Sequence, residues 1–352
     1  MIASLRLIDT GLKPAGWNAA VSQALLGAHR TGHAGDTLRF YRAPPSILLG
    51  RYQRTGSTDA LRHDGKVIGV ARRVTGGPAA FVTPDVLCFD LVTERACFGL
   101  SLSNAIALIC TSLAAGIART GIPTSFQPSG TIVIGNRSVG SVTGTFDGLT
   151  LIFQGFVHLS GDGLEIAEHA AARAKVKLGP TFCGPACGSL SVILGRTPLA
   201  REIMAVISAK FSDDLKRPLV EAPLSAAELD VVSEHLARSS GFEGHAKGCP
   251  TSGAIRIAQK RLSDGIIQVR VTSNDDGKIS DIQIAGDFSI APVGAVDELE
   301  HALRGVSAVA APDYAREILE RSDVVMYDVA PVDIAAAIAR AVKTRPVRRQ
   351  PQ

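Results

Sequence analysis

Ala71-Arg72-Arg73-Val74-Thr75-Gly76-Gly77-Pro78-Ala79 carries more information than any other stretch of this 352-residue chain. Val67 to Arg72 has the β-branched, alternating character of a strand, and the turn-forming residues that follow end it. Two arginines followed by small residues suit an anionic ligand. Arginine pairs with phosphate or carboxylate, and glycine lets backbone N–H groups come close to a ligand. A tight turn after a strand, with two solvated arginines, would use the same residues.

Outward from this loop, the spacing predicts a strand over residues 1–10 and a helix over Trp17–His29. Further strands are predicted at Thr37–Tyr41, Ser46–Leu49 and Val86–Val92. A helix is predicted over Ser103–Thr120, with Ser101 or Ser103 as N-cap and Gly121 as its stop. Gly130–Ile134 and Arg137–Thr143 read as strands joined by Gly135-Asn136, a tight-hairpin pair. A strand at Leu149–Leu159 and helices at Gly163–Ala174 and Leu199–Phe211 follow. Pro218 to Pro223 reads as a boundary, and Ser225 starts a short helix. Beyond it come three strands, Ala254–Ala258, Gly265–Ser273 and Lys278–Ala285, then helices at Val296–Leu303 and Pro312–Arg321.

Composition narrows the function classes. Hydrophobic residues make up 46% and charged residues 20%, which fits a globular protein with a sizeable core. The formal charge of +4 sits partly in Lys343, Arg345, Arg348 and Arg349, and no dense basic face with interleaved aromatics is visible, so no nucleic-acid partner is expected. No apolar run reaches the roughly 18 residues needed to span a bilayer, and Met1–Asn18 lacks the apolar core of a secretory signal. No membrane partner is expected, and six scattered cysteines fit reduced thiols in a cytoplasmic protein. Cys183-x-x-x-Cys187 and His245-x-x-x-Cys249 have unusual spacing for zinc, so no metal site is read. His158 and His169 read as surface or satisfied core residues.

Three stretches together carry a resemblance. The Arg72–Ala79 loop resembles the arginine-glycine loop of lipoate–protein ligases. Gly130 to Ser141 resembles that family's hairpin, with Gly140-Ser141 as its Gly-Ser, and Phe153-Gln154-Gly155 stands in place of its His-His-Gly. Asp276 to Phe288 is similar to the family's small C-terminal domain. The resemblance implies an α/β (α+β) fold of the biotin/lipoate protein ligase type, a mixed and largely antiparallel sheet with helices packed on it, plus a small α/β accessory domain. The expected organisation is a catalytic domain over 1–217, an accessory domain over 218–340 and a flexible basic tail over 341–352. The implied activity is attachment of a lipoyl or octanoyl group to a lysine of a lipoyl-carrier protein, foremost as a ligase using ATP and Mg2+ through an acyl-AMP. Arg72, Arg73 and Arg137 would hold its phosphate, and the amides of Gly76 and Gly77 would face the reacting carboxyl. Thr75, Gly140, Ser141, Gln154 and Gly155 complete the implied substrate site. The acyl slot would lie beside Arg72–Gly77, walled by Ser46–Leu49 and Val139.

Departures fall on the chemistry. Arg137 occupies the position of the family's hairpin lysine and cannot deprotonate. Gly130-Thr131 replaces its Asn-Asp pair, Pro78 its third glycine, and Ser22 or Gln23 its first-helix acid. Thr181-Phe182-Cys183-Gly184-Pro185-Ala186-Cys187-Gly188 resembles the Pro-Cys-Gly-x-Ala loop of octanoyl transferases. This implies a second route, in which Cys183, with Cys187 as an alternative, carries the acyl group as a thioester without ATP. A binding protein for a lipoyl carrier, without catalysis, is the third.

Overall fold

The computed structural model describes residues 4–54, 61–63, 65–98, 101–161, 164–182, 186–239, 254–262, 265–327 and 329–346. The chain forms two compact units. The first comprises Met1–Arg51, Thr55–Thr75 and Ala79–Phe242, and the second Tyr52–Arg54, Gly76–Pro78 and Glu243–Gln352.

In the first unit the strands are β1 (Leu5–Leu12), β2 (Thr37–Arg42), β3 (Ser46–Leu49), β4 (Leu61–His63), β5 (Lys66–Arg72), β6 (Ala80–Val82), β7 (Val86–Glu94), β8 (Ser125–Gln127), β9 (Thr131–Ile134), β10 (Arg137–Asp147), β11 (Thr150–His158) and β12 (Leu219–Glu221). The helices are α1 (Ala15–Arg30), α2 (Leu102–Ala118), α3 (Leu164–Ala174), α4 (Leu190–Leu194), α5 (Ala200–Leu215) and α6 (Ala226–Ser239). An eight-stranded sheet runs in the order β12-β1-β2-β7-β11-β10-β9-β8. Its β12–β1 and β1–β2 pairs are parallel and the rest antiparallel, so the expected mixed, largely antiparallel α/β fold is present. A smaller sheet runs β4-β5-β3-β6.

The central strands β7 and β11 are buried along nearly their whole length, because helices cover both faces of the sheet. The hydroxyl of Ser22 on α1 reaches Asp90 on one face. On the other face a Cβ on Gly144 would meet Ile106 of α2, and Phe89 packs edge-on against Phe211 of α5. Ser101 caps α2 by accepting from the N–H of Asn104. The Gly135-Asn136 hairpin forms between Ile134 and Arg137 as the sequence predicts.

The segment read from its prolines as a boundary is instead an edge strand. β12 pairs with β1, and α6 belongs to the first unit, so the division falls at Phe242/Glu243 rather than at 217. In the second unit β13 (Ala254–Arg261), β14 (Ile266–Ser273) and β15 (Ile279–Gly286) form a three-stranded antiparallel sheet. β16 (Ser289–Ala291) pairs with β17 (Val325–Tyr327). Helices α7 (Ala295–Ala302), α8 (Ala311–Leu319) and α9 (Pro331–Lys343) complete it. The α9 helix was not predicted, and it takes residues 341–343 out of the expected tail. Ala341 is fully buried there.

Candidate functional site

Strand register sets the floor of the site. Residues i and i+2 of a strand share a face, and the pairings align Arg39, Asp90, Gln154 and Thr143 in one row across β2, β7, β11 and β10. The next row is Tyr41, Cys88, Phe156 and Ser141. Arg39 and Asp90 form an ion pair of 2.9 Å with neither side chain exposed. Asp90 also accepts from Ser22 Oγ at 2.8 Å and from Gln154 Nε2 at 2.9 Å. Arg39 donates further to the carbonyl and side-chain oxygens of Asn18 and, through Nε, to Thr10 Oγ1. A charge this deep is tolerable only with its partners in place.

The arginine-glycine loop is tied onto this row. Gln154 Oε1 accepts the Thr75 N–H at 3.1 Å and the Thr75 hydroxyl at 2.9 Å, and the hydroxyls of Thr75 and Thr143 lie 2.9 Å apart. The Thr75 carbonyl accepts the N–H of Arg51, and the Leu49 carbonyl accepts that of Arg73. Arg72 Nη1 donates to the carbonyls of Gly50 and Arg51. Arg73 is buried over the Phe156 ring, 5.5 Å from its centroid. Burial pulls its guanidinium down to about 10, and burial first, then Asp90, holds the nearby Tyr41 hydroxyl well above its usual range. Arg73 therefore stays cationic at neutral pH.

Gly76 and Gly77 group with the second unit, and their roles differ from expectation. The Gly77 N–H donates to the Phe288 carbonyl at 2.9 Å, so it does not face a substrate carboxyl. A Cβ on Gly76 would sit 2.4 Å from that same oxygen, so close backbone approach explains this glycine. Gly155, read as substrate-binding, makes room for the Phe89 ring, since a Cβ would lie 2.1 Å from it. Gly140 admits the Phe156 carbonyl, which would be 2.4 Å from an added Cβ. Ser141 and Thr143, half-buried, are the open end of the two rows.

The hairpin meets the cysteine-bearing segment. Ser138 N–H donates to the Ala186 carbonyl at 2.7 Å, and the Gly188 N–H donates to the Ser138 carbonyl at 2.9 Å. A Cβ on Gly188 would lie 2.9 Å from Cβ of the exposed Arg137, whose Nη1 reaches the Cys187 carbonyl at 3.4 Å. Cys187 is buried, and its thiol donates to the Thr181 carbonyl. Cys183, His245 and Cys249 lie outside the described residues. His158 lies in the floor beside Phe182, with ring centroids 5.1 Å apart. Burial pulls its imidazole down to about 4, so it is neutral at physiological pH.

The residues present do not fit a nucleotide–metal cradle. Thr131 is buried and its hydroxyl pairs with Ser129, so no carboxylate stands at the hairpin position where the resemblance places the family's Asn-Asp pair. Among the described residues no three metal-ligating side chains cluster. In the loop itself the N–H groups of Thr75 and Gly77 are engaged and Pro78 has none. The structure thus gathers Arg73, Thr75, Gln154 and Ser141 around one floor, with Arg137 and Cys187 beside it, while Arg72 is held by the Gly50 and Arg51 carbonyls. Sequence reasoning missed Arg39 and Asp90. Their signal is a single charge inside each of two apolar strands, which is unusual for a strand buried on both faces.

Residues 14–212 match the lipoyl protein ligase A/B catalytic domain family, and residues 257–325 match the bacterial lipoate protein ligase C-terminus family. Octanoyltransferase LipM of Symbiobacterium thermophilum is 33% identical over 131 residues, 36% of this chain and 47% of that protein. The Moorella thermoacetica octanoyltransferase LipM is 32% identical over 123 residues, 34% of this chain and 44% of that one. The chain therefore spans a little under half the length of these curated relatives. The structure of P. falciparum LipL1 in complex with lipoate superposes with a TM-score of 0.68 at 12% identity, covering 96% of this chain and 100% of that one. Lipoate-protein ligase A bound with ATP gives 0.56 at 18% identity over 68% of this chain and 95% of its own. At such identities these likenesses establish the fold. No helix among the described residues is long and apolar enough to cross a membrane. The catalytic-family match covers more than half of the 352 residues, in a fold shared with solved lipoate ligases, and the chain belongs to the lipoyl protein ligase A/B catalytic domain family.

Proposed function

We propose that this protein transfers a lipoyl or octanoyl group to the ε-amine of a lysine on a lipoyl-carrier protein, through a thioester on Cys183 and without ATP. The observation that carries this reading is the pair of backbone hydrogen bonds tying Ala186 and Gly188, which follow Cys183 in the sequence, to Ser138 of the hairpin that bears Arg137. The similarity to octanoyltransferases supports it, as does the poor fit of the loop to a nucleotide. In the first step the Cys183 thiolate attacks the carbonyl of an acyl thioester, and the donor's thiol leaves. In the second the lysine amine attacks the enzyme thioester, the amide forms, and the Cys183 thiolate is released as the amine proton passes to solvent. Arg137 stabilises negative charge on the carbonyl oxygen and does not move protons, because a guanidinium stays charged.

Intact-mass spectrometry tests this directly. Incubation with an acylated carrier should give a hydroxylamine-labile adduct on the protein, absent in Cys183→Ser, and an acyl mass gain on an unmodified lipoyl domain. The match of residues 257–325 to a ligase C-terminal family favours a second reading, an ATP-dependent lipoate ligase. A mass gain that requires free lipoate, ATP and Mg2+ would establish that reading and remove the first. A lipoyl domain that forms a complex but never gains mass would leave a carrier-binding protein.

A further inference from the structure

We propose that Asp90, held by Arg39, is a positioning residue that sets the orientation of the Gln154 amide and thereby fixes Thr75 and the arginine-glycine loop for acyl transfer. The bond pattern has one direction. Asp90 accepts from Ser22 Oγ and Arg39 Nη1 on Oδ2 and from Gln154 Nε2 on Oδ1. A primary amide has one donor end and one acceptor end, and only the donor end can face a carboxylate. Gln154 Oε1 must then face Thr75, where it accepts both the N–H and the hydroxyl. With its proton directed at Gln154, the Thr75 hydroxyl accepts from Thr143. The chain of donors thus runs from the half-buried Thr143 to a fully buried ion pair.

This network occupies the place of groups the chain has lost. Gln154 stands where the resemblance implies a histidine, and Ser22 or Gln23 where it implies an acid. The carboxylate facing α1 comes from Asp90 on β7, one strand away. Thr75 follows Arg72 and Arg73 in the loop with only Val74 between, so its anchoring fixes the backbone from which both guanidinium groups project. A misplacement of about 1 Å in such a positioned group can lower a rate about a hundredfold.

The inference rests on the acyl-transfer reading, so its test has a readout independent of activity. In Asp90→Asn the new NH2 group faces Gln154, whose amide must turn and present its own NH2 to the Thr75 N–H. Exchange of the Thr75 amide hydrogen, followed by NMR, should then quicken by about tenfold or more. The rate of acyl transfer should fall by about tenfold to a hundredfold. Combining Asp90→Asn with Gln154→Glu restores an acceptor towards Thr75 and should recover both the slow exchange and most of the transfer rate. If Asp90→Asn does not fold, Gln154→Met tests the same link without changing charge and should give the same two losses. Slow Thr75 exchange with an unchanged transfer rate in either single variant would overturn the proposal. So would a folded double variant that recovers neither. A wild-type chain that transfers no acyl group would count against the reaction alone, and the exchange rates would still decide the wiring.

Discussion

A buried imidazole without a hydrogen-bond partner on Nε2, among the described residues, makes His158 a pH-dependent weak point. Its ordinary value is 6.5, and burial holds it at about 4 in the folded chain. The unfolded chain therefore binds a proton first as pH falls. Stability contributed by the neutral ring is fully present above about 6.5 and is lost progressively down to about 4, by up to about 3 kcal/mol. Urea unfolding of His158→Leu from pH 7 to pH 4.5 should show a shallower loss of stability than the wild type. An unchanged slope would mean that the imidazole is not the titrating group. Thiols follow the same logic. Burial pushes the Cys110 thiol up to about 12 and the Cys88 thiol higher still, so both stay protonated. At this scale residue types were legible in the sequence, but their partners were not. Gly155 and Gln154 were both legible as part of a motif, yet one proves to make room for Phe89 and the other to hold Thr75.

Helix α6 shows how local sequence and long-range partners combine in one element. Ser225 and Glu228 form a reciprocal cap, with the Ser225 N–H donating to Glu228 Oε2 at 2.7 Å and the Glu228 N–H donating to Ser225 Oγ at 3.2 Å. Arg6 of β1 grips the same carboxylate through both terminal nitrogens. Burial alone would raise the Glu228 carboxyl, but the Arg6 and Ser225 hydrogen bonds outweigh it and leave it below its ordinary value. Ser225→Ala should cost about 1 kcal/mol of unfolding free energy, read from denaturant midpoints. Glu228→Gln should cost more, because it removes the charge facing Arg6 as well as weakening the cap. A Glu228→Gln midpoint equal to that of Ser225→Ala would show that the Arg6 contact adds nothing. The helix start at Ser225 was visible in the sequence, as was a cap at Ser101 or Ser103. The strand β12 just before α6 was not, because three residues between prolines carry no periodicity and become a strand only by pairing with β1.

At the scale of the whole molecule, the assignment of β12 and α6 to the first unit has a direct consequence. A chain ending at residue 217 would leave β1 as an unpaired edge and strip Glu228 from Arg6. It should therefore melt at a lower temperature than a chain ending at residue 242, by several degrees for a loss of about 2 kcal/mol. Equal melting temperatures for the two would show that the segment 218–242 does not stabilise the first unit.

The sequence by itself determined the class of fold, the order of most elements and the family. Each of these depends on local patterns, such as alternation in strands, caps at helix ends, a Gly-Asn hairpin and the arginine-glycine loop. It also showed which groups had been lost from the expected chemistry, at Gly130-Thr131, Pro78 and Arg137. What only the tertiary structure decided is which residues meet. Arg39, Asp90, Gln154 and Thr143 lie far apart in the chain and become one row because strand register aligns them. Register across β2, β7, β11 and β10 is a property of pairing between distant segments, and no local pattern encodes it.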